Sequence, residues 1–530
     1  MLASNLVLPN RIAELAEKTP EAPFLHTTTG DRLSYAETHR AILTWADAFA
    51  RHGISAGEQI ALMMPNRVES VFGWLGSAWL RARQVPINTA YRGRILEHVL
   101  TNSGARMLVI AAALLEQLAA VDLLATSLER IVILDAAEIT LPDLSLPVMS
   151  AAQFLHGAQP RQREAPRYTD VASITYTSGT TGASKGVIVY WAQLHATISA
   201  LGDIFSPDDC WYDPMPMFHV GGQGPVYLAA LAGARVVLRE GFSVTAFVDD
   251  VQHYGCTVGT VVETMANFLM SRPPTPEDQA LPLKYVVMIP VIANVDEFKD
   301  RFGVVVATSH GMTEISTCIT SPGFDRTSAN YRSCGRLRPG YHARIVDTDD
   351  EELPDGSAGE LILRSDTPWT LHGGYLNMPE ATVAAWRNGW FHTGDILSRD
   401  VDGDYYFHDR LKDAIRRRGE NISSKEVEAE INAHPAVAVS AVVGVPSTHG
   451  EEEVKAFLIL ADGATLDPPE LIAFLEPRLP RFMIPRFIEI AAELPQTPSA
   501  KVQKNLLRDC AHGDCCWDRM ASDFADIARS

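Results

Sequence analysis

The segment from Ser173 to Val187 concentrates residue types that bind anions. It reads SITYTSGTTGASKGV, so hydroxyl side chains and three glycines surround a single lysine, Lys185. Glycines let backbone N–H groups approach an anion, hydroxyls add hydrogen-bond donors, and the lysine adds positive charge. Gly182 lies too close to Lys185 for a Walker A loop, which has four residues between its first glycine and Gly-Lys. The segment therefore predicts a polyphosphate-binding loop of another kind, with an ordinary surface turn as the alternative.

Four segments further along the chain carry groups that could bind a nucleotide or an acid. They are the aromatic and methionine-rich run that contains His219, the Met-Thr-Glu tripeptide that ends at Glu314, the Thr-Gly-Asp tripeptide that ends at Asp395, and a charge-rich run over 408–423. An aspartate in such a turn can accept two hydroxyl hydrogen bonds, which suits a ribose diol. Taken singly, each segment also fits a structural role: a core histidine, the start of a helix, a turn, or a solvated hairpin.

The order of these segments resembles a known family. From Thr177 onward, TSGTTGASKGV resembles the signature loop of the adenylate-forming (AMP-binding) enzymes, which include acyl-CoA synthetases, luciferases and the adenylation domains of peptide synthetases. Seven family-like segments follow one another in the family's order between about residues 20 and 505. The runs RRRGENISS, YRSCGR and PWTLHGGYLNMPEAT are similar to bacterial ligases of the crotonobetaine/carnitine-CoA type.

The resemblance implies which residues hold the nucleotides. Asp395 would bind the ribose, Arg410 would contact ribose and phosphate, and His310 stands where an aromatic ring usually stacks on adenine. The implied nucleotide-binding residues are Thr177, Ser178, Gly179, Thr180, Thr181, Lys185, His310, Asp395 and Arg410. A further set, which would face the nucleotide and pantetheine in the second step, comprises Gly419, Glu420 and Asn421.

The resemblance also implies the catalytic groups. Lys501 matches the family's C-terminal catalytic lysine and would lie between the attacking carboxylate oxygen and the α-phosphate of ATP. Glu314 would bind Mg²⁺, and Thr313 would lie on the α-phosphate side. Phe218 and His219 would line the pocket for the acid. This arrangement implies electrostatic stabilisation and positioning, with no protein nucleophile.

One segment departs from the family pattern. The family usually has a small-residue turn of the Gly-Gly-Ala-Pro type in the pocket wall, whereas this chain has the run from Met288 to Ala293, MIPVIA. Because that wall would contact the acid, the identity of the acid cannot be carried over from relatives.

The elements that must position these residues follow from the hydrophobic pattern. Short apolar runs alternate with helical repeats along the first two thirds of the chain, which predicts βαβ units on parallel sheets. A strand over 171–177, the loop and a helix over 191–202 predict a strand–loop–helix unit whose helix N-terminus helps bind the anion. The segment from Leu337 to Leu363 predicts a β-rich subdomain. Predicted strands over 437–445, 454–460 and 486–490 and a helix over 468–476 indicate a small α+β domain.

The predicted fold class is therefore α/β, with a large N-terminal domain of βαβ units and a β-rich subdomain, followed by a small mobile α+β domain. The predicted boundaries are 1–411 for the large ATP- and acyl-binding domain, 412–508 for the small domain with the catalytic lysine, and 509–530 for a tail. By resemblance, Lys412 is the hinge between the two domains.

The totals limit the partners. At 530 residues the chain exceeds one ordinary core, and a net charge of −20 argues against nonspecific nucleic-acid binding. No apolar run approaches the ~20 residues of a membrane span. Seven scattered cysteines indicate reduced thiols and a cytoplasmic location, where the protein could form a homodimer. The tail cysteines match no common zinc spacing.

The resulting prediction is an acid-thiol ligase that uses ATP, Mg²⁺ and coenzyme A. It would activate a carboxylic acid as acyl-AMP, release pyrophosphate, and transfer the acyl group to coenzyme A. The alternatives are an acyl-AMP ligase that supplies a carrier protein, a luciferase-like oxidase, and a non-catalytic nucleotide-binding module.

Overall fold

A computed structural model describes residues 3–135, 144–177, 184–201, 204–321, 333–411, 415–417, 420–446, 452–479, 481–497, 501–508 and 516–520, with the backbone alone at 416, 420 and 421. The helices are α1 Leu8–Lys18, α2 Tyr35–Arg51, α3 Val68–Trp79, α4 Gly93–Ser103, α5 Ala151–Leu155, α6 Trp191–Ile198, α7 Val220–Ala232, α8 Phe247–Tyr254, α9 Glu263–Ser271, α10 Pro276–Gln279, α11 Val295–Phe302, α12 Pro379–Ala385, α13 Ser424–Asn432, α14 Pro468–Leu475 and α15 Lys504–Arg508.

The strands belong to five sheets. Their bounds are β1 Pro23–Thr27, β2 Arg32–Ser34, β3 Gln59–Met63, β4 Arg83–Pro86, β5 Met107–Ala111, β6 Arg130–Leu134, β7 Val148–Ser150, β8 Val171–Thr177, β9 Lys185–Tyr190, β10 Cys210–Asp213, β11 Arg235–Leu238, β12 Val258–Val261, β13 Tyr285–Met288, β14 Val305–Ala307, β15 Ser309–Met312, β16 Ser316–Thr320, β17 Ser333–Leu337, β18 Tyr341–Val346, β19 Gly359–Ser365, β20 Trp386–Arg387, β21 Trp390–Arg399, β22 Asp404–Arg410, β23 Ile415–Arg417, β24 Glu420–Ile422, β25 Val437–Pro446, β26 Glu452–Leu460, β27 Phe487–Ile490 and β28 Trp517–Asp518.

Two seven-stranded sheets form the large domain. Their strand orders are β7-β6-β5-β3-β4-β8-β9 and β14-β13-β12-β10-β11-β1-β2. Neighbouring strands run parallel except for β9 and β2, which each end a sheet as an antiparallel edge. An eight-stranded antiparallel sheet, β15 to β22, follows, and a four-stranded sheet of β25 to β28 forms the small domain. The predicted fold class is thus confirmed, while the domain boundaries stay predictions.

Helix α2 illustrates how local sequence sets an element. Ser34 accepts a hydrogen bond from the backbone N–H of Glu37, and the Glu37 side chain accepts one from Ser34 N–H, so the start of the helix is capped. Ile42, Trp45 and Phe49 fall on one helix face and are buried, as their spacing predicts, with Trp45 against Phe72 of α3 and Phe154 of α5.

The predicted strand over 171–177 and the helix that begins at 191 are present, but the prediction that the loop leads directly into that helix is wrong. After the loop the chain forms β9, which pairs antiparallel with β8 from Val171↔Tyr190 to Thr177↔Lys185, and α6 begins only at Trp191. The physical reason is the run Val187-Ile188-Val189, whose branched side chains favour an edge strand. The loop therefore joins two strands, and the N-terminus of α6 lies a full strand away from it.

No helix within the described ranges is both long and apolar enough to cross a membrane.

Candidate active site

One cavity of about 2570 Å³ lies where the large domain, the antiparallel sheet and the small domain meet. Several parallel strands end at it, including β12 and β13, and the carboxyl ends of parallel strands are the usual place for ligands in such folds. The sequence-predicted residues that line the cavity are Thr177, Lys185, Phe218, His219, His310, Thr313, Glu314, Asp395, Arg410 and Lys501.

Asp395 and Arg410 face each other across β21 and β22. The Asp395 side chain is only 1% exposed, with Oδ1 2.9 Å from Arg410 Nε and Oδ2 3.4 Å from His310 Nε2. Neither contact has hydrogen-bond geometry, and neither carboxylate oxygen accepts a hydrogen bond from the part of the chain that is described. A buried carboxylate without donors is costly. Two ligand hydroxyls would satisfy Asp395, which fits the predicted ribose site.

His310 presents a flat ring beside this carboxylate. Its imidazole stacks on Phe407, with ring centroids 5.8 Å apart and 29° between the planes. Burial lowers the His310 pKa, the negative charge of Asp395 partly opposes that shift, and Arg410 adds to it. The ring is thus neutral at physiological pH. Stacking on adenine stays a prediction.

Glu314, Tyr375 and Lys185 form the next part of the wall. Tyr375 Oη donates to Glu314 Oε1 over 3.1 Å, and Lys185 Nζ lies 4.7 Å from the centre of the Tyr375 ring. Tyr375 also forms an isolated antiparallel β-bridge with Val187 in β9. This bridge links Glu314, through Tyr375, to the hairpin of β8 and β9. Burial raises the pKa of Glu314 despite the hydrogen bond from Tyr375. A carboxylate such as Glu314 is the kind of ligand that Mg²⁺ takes together with phosphate oxygens, and a bound cation would offset the cost of burying its negative charge. Binding of Mg²⁺ at Glu314 stays a prediction.

Thr313 is held by its backbone. Its carbonyl oxygen accepts a hydrogen bond from Gln193 Nε2 in α6 over 2.6 Å. The residue lines the cavity between His310 and Glu314.

His219 is the N-cap of α7. Its Nδ1 accepts the backbone N–H of Gly221 over 3.0 Å, so the ring proton is on Nε2, which can donate to a ligand oxygen. The ring is exposed to the cavity, yet it lies deep within the protein. This burial lowers its pKa to about 4, with a smaller contribution from the positive charge of Lys501.

Lys501 and Lys504 have different surroundings. Lys501 N–H donates to Thr497 Oγ1 over 3.1 Å, and the Lys501 carbonyl accepts from Thr497 N–H over 2.7 Å. Its exposed side chain lines the cavity near enough to His219 to affect that residue's pKa. Lys504 Nζ instead lies 2.7 Å from Glu428 Oε1 and donates to Ser424 Oγ inside the small domain.

The remaining predicted residues cannot be located. Ser178, Gly179, Thr180, Thr181, Lys412 and Gly419 lie outside the described residues, and the side chains of Glu420 and Asn421 do so as well. Their roles stay predictions.

Sequence reasoning missed the part played by Tyr375. The signal was present, since Tyr375 follows a glycine pair in the family-like run PWTLHGGYLNMPEAT. No spacing rule connects that tyrosine with Glu314 or Lys185, because the three meet only through the pairing of β9 with the segment around Tyr375.

Comparisons with known proteins give two family matches. The AMP-binding enzyme family matches residues 12–376, and the AMP-binding enzyme C-terminal domain matches residues 426–501. The crotonobetaine/carnitine–CoA ligase of Salmonella typhi is 34% identical over 492 residues, which cover 90% of this chain and 93% of that protein.

Two solved structures share the fold. ATP-bound MatB from Rhodopseudomonas palustris aligns with a TM-score of 0.81 at 26% identity, over 94% of this chain and 98% of MatB. The o-succinylbenzoate CoA synthetase of Bacillus subtilis, in complex with its acyl-adenylate intermediate, aligns with a TM-score of 0.79 at 25% identity, over 96% and 99% of the two chains.

Proposed function

The chain belongs to the AMP-binding enzyme family, and we propose that it is an ATP-dependent acyl-CoA ligase. It joins a carboxylic acid to AMP with release of pyrophosphate and then transfers the acyl group to coenzyme A. The observation that carries the proposal is that four predicted residues line one cavity: Asp395, whose buried oxygens accept no hydrogen bond from the described chain, the buried Glu314, His219 and Lys501.

The first step needs positive charge, because carboxylate and triphosphate are both anions. A carboxylate oxygen of the acid bonds to the α-phosphorus of ATP, the bond between the α-phosphorus and the bridging oxygen breaks, and pyrophosphate leaves. Lys501 would neutralise charge between the attacking oxygen and the α-phosphate, while His219 Nε2–H would orient the acid. Glu314 would hold Mg²⁺, which when bound supplies charge neutralisation to the phosphates.

In the second step the sulfur of coenzyme A bonds to the acyl carbon, the bond between that carbon and the phosphate oxygen breaks, AMP leaves, and the thiol proton passes to solvent. Rotation about Lys412 would withdraw Lys501 and bring Gly419 to the site. The assignment of Lys501 to the first step and of Gly419 to the second is what the family resemblance implies.

The acid side of the cavity favours an uncharged acyl body. The described residues that α6, α7 and the turn after α6 contribute to the lining carry no charge; they are Thr197, Ile198, Ala200, Leu201, Val220, Gly221, Gly224, Pro225 and Leu228. A quaternary ammonium group is usually held by aromatic faces or a carboxylate. We therefore expect apolar acids to be activated better than betaines.

Pyrophosphate release tests the function. The purified protein is assayed with ATP, Mg²⁺ and a panel of short aliphatic, aryl, betaine and steroid side-chain acids, with and without coenzyme A. Acid-dependent release together with acyl-CoA formation supports the proposal. Pyrophosphate release without acyl-CoA formation, but with acylation of a carrier protein, favours the acyl-AMP ligase. No pyrophosphate release with any acid favours a nucleotide-binding module.

A cytoplasmic location is part of the proposal. It is supported by the cysteines of the described residues, Cys210, Cys256, Cys318, Cys334 and Cys516, all of which are free thiols. A homodimer stays a prediction.

A further inference from the structure

Helix α9 of the large domain is one of the surfaces that the small domain contacts; another is β22, where Ser424 donates to Asp409. Phe268, near the end of α9, packs against an apolar cluster of the small domain that includes Val439, Ala441 and Val443 of β25. At the start of the same helix, Glu263 Oε2 lies 3.3 Å from Lys425 Nζ in α13. Glu263 and Lys425 both line the cavity, and they lie 162 positions apart in the chain.

Lys425 is held from both sides. Its Nζ is also 3.0 Å from Glu428 Oε2 on the same helix, and Glu428 Oε1 in turn lies 2.7 Å from Lys504 Nζ. Burial lowers the pKa of Lys425, but Glu263 and Glu428 more than offset this, so the net pKa is raised. Lys425 is therefore charged when it faces Glu263.

This row of charges is connected to the catalytic segment. Lys504 begins α15, three residues after Lys501, and is anchored to α13 through Glu428 and Ser424. A shift of α13 relative to α9 would therefore move Lys501 relative to His219. Lys501 and His219 lie on different domains, so their separation depends on contacts of this kind.

We infer that Glu263 is a positioning residue: its ion pair with Lys425 docks the small domain on α9 in the orientation that holds Lys501 in the cavity that His219 lines. The inference rests on the proposed function, because it assigns Glu263 to the adenylation step. It differs from the hinge at Lys412, since it concerns the surface that holds one orientation and not the residue about which the domain turns.

The first test separates the two half-reactions. Glu263→Gln keeps the shape of the side chain and removes its charge. We expect acyl-adenylate formation to fall about tenfold, a loss of about 1.4 kcal/mol within the usual range for coupled contacts. Conversion of preformed acyl-AMP to acyl-CoA should be unchanged or faster, whereas an equal loss in both half-reactions would overturn the inference.

A double-mutant cycle tests the pair. If Glu263 acts through Lys425, Lys425→Gln should resemble Glu263→Gln, and the double variant should be no worse than either single variant. Lys425→Arg, which keeps the charge, should retain at least half of the adenylation rate. Additive losses would contradict the pairing. The matched control is Asp296→Asn, which breaks the surface pair between Asp296 and Lys299 on α11 and should change neither half-reaction.

A second readout does not depend on any acid. Amide hydrogen exchange of α9 and β25 in the unliganded protein should accelerate in Glu263→Gln and not in Asp296→Asn. Unchanged exchange would show that the pair does not dock the domains. If the wild-type protein activates no acid, the proposed function fails, while the exchange result still decides whether the contact holds the two domains.

Discussion

At the scale of single residues, two lysines near the C-terminus have separate tasks. Lys501 lines the same cavity as His219, whereas Lys504 pairs with Glu428 in the small domain. We expect Lys501→Ala to lower acyl-adenylate formation by about 10²–10³, the usual loss when one stabilising charge is removed. Thioester formation from preformed acyl-AMP should stay largely intact, and equal loss of both steps would refute the assignment. Lys18→Ala, at an exposed surface lysine, is the control.

Asp395 gives a second prediction at this scale. Its buried oxygens accept no hydrogen bond from the described chain, so the carboxylate contributes to ligand binding more than to folding. Asp395→Asn should raise the KM for ATP by about 10² and abolish the rise in Tm caused by ATP, because two charge-assisted hydrogen bonds are lost. The Tm without ATP should change little.

Asp404→Asn is the matched control for this experiment. Asp404 lies on the neighbouring strand β22 and pairs with Arg336 at the surface. Its substitution should leave the KM for ATP unchanged, and an equal increase in both variants would contradict a ribose site at Asp395.

The sequence predicts residues of this kind when their neighbours along the chain are informative. Asp395 and Glu314 each belong to a short segment with a family-like pattern, and both line the cavity. Tyr375 and Glu263 could not be predicted in the same way, because their partners come from distant elements. A glutamate at the start of a helix is ordinary, and Lys425 is 162 residues away.

At the scale of elements, the first turns of α7 contain glycines with different tasks. A Cβ on Gly222 would lie 2.4 Å from the carbonyl oxygens of Met215 and Pro216, which are backbone atoms and cannot easily shift. A Cβ on Gly224 would contact only Ile198 Cδ1, at 3.0 Å, and that atom ends a flexible side chain in the acid pocket.

The two alanine substitutions should therefore differ. Gly222→Ala should lower the Tm. Gly224→Ala should leave the Tm unchanged or raise it, since alanine is favoured over glycine in a helix by up to about 1 kcal/mol. The same variant should reduce kcat/KM for bulky acids more than for short ones. Equal kcat/KM losses for all acids would indicate that Gly224 does not border the acyl body.

The aromatic cluster around β20 and β21 predicts a pH dependence of stability. His372 is buried against Trp386 and Phe391, and its Nε2 accepts the indole N–H of Trp386 over 3.3 Å. Burial lowers its pKa to about 4, with a small opposing effect from the Gly374 backbone. Below pH 6.5, which is about the pKa of histidine in the unfolded chain, His372 takes up a proton when the protein is unfolded but not when it is folded. This contribution to stability is therefore lost as the pH falls from about 6.5 to about 4.

Denaturant unfolding measures this effect. When the pH falls from 7.5 to 5, His372 should lower the free energy of unfolding by roughly 2 kcal/mol. In His372→Gln the difference between the two pH values should shrink by that amount, whatever the variant's stability at pH 7.5. An unchanged difference would contradict a neutral buried His372.

Elements with a strong local pattern were predictable, and their pairing partners were less so. The period of Ile42, Trp45 and Phe49 predicts α2, and its cap is in the sequence. The segment from Lys185 to Tyr190 contains a strand signal in its valines, yet the glycine-rich loop before it favours a loop followed by a helix. Only the pairing with β8 decides between these readings.

At the scale of the whole molecule, the sequence predicts the kinds of layers and their order. Parallel sheets come first, an antiparallel sheet follows, and a small α+β domain ends the described structure. The orientation of the small domain could not be predicted, because it depends on surface contacts such as Phe268 with β25 and Glu263 with Lys425. In that orientation Lys501 and His219 line the same cavity, and we expect it to serve the first half-reaction.

The second half-reaction should then require the small domain to leave this orientation, and Lys412 is the position to test. Proline fixes φ near −65° and removes the N–H, so Lys412→Pro would stop the backbone from adopting two conformations. We expect acyl-adenylate formation to persist and conversion of acyl-AMP to acyl-CoA to fall by at least about 10², on the scale of a misplaced reacting group. Lys412→Ala, which removes the side chain but leaves the backbone free, should retain both steps. Pyrophosphate release and acyl-CoA formation measured in parallel distinguish the cases. Normal turnover by Lys412→Pro would mean that the domain turns elsewhere, and equal loss of both steps would mean that proline disrupts the docked state as well.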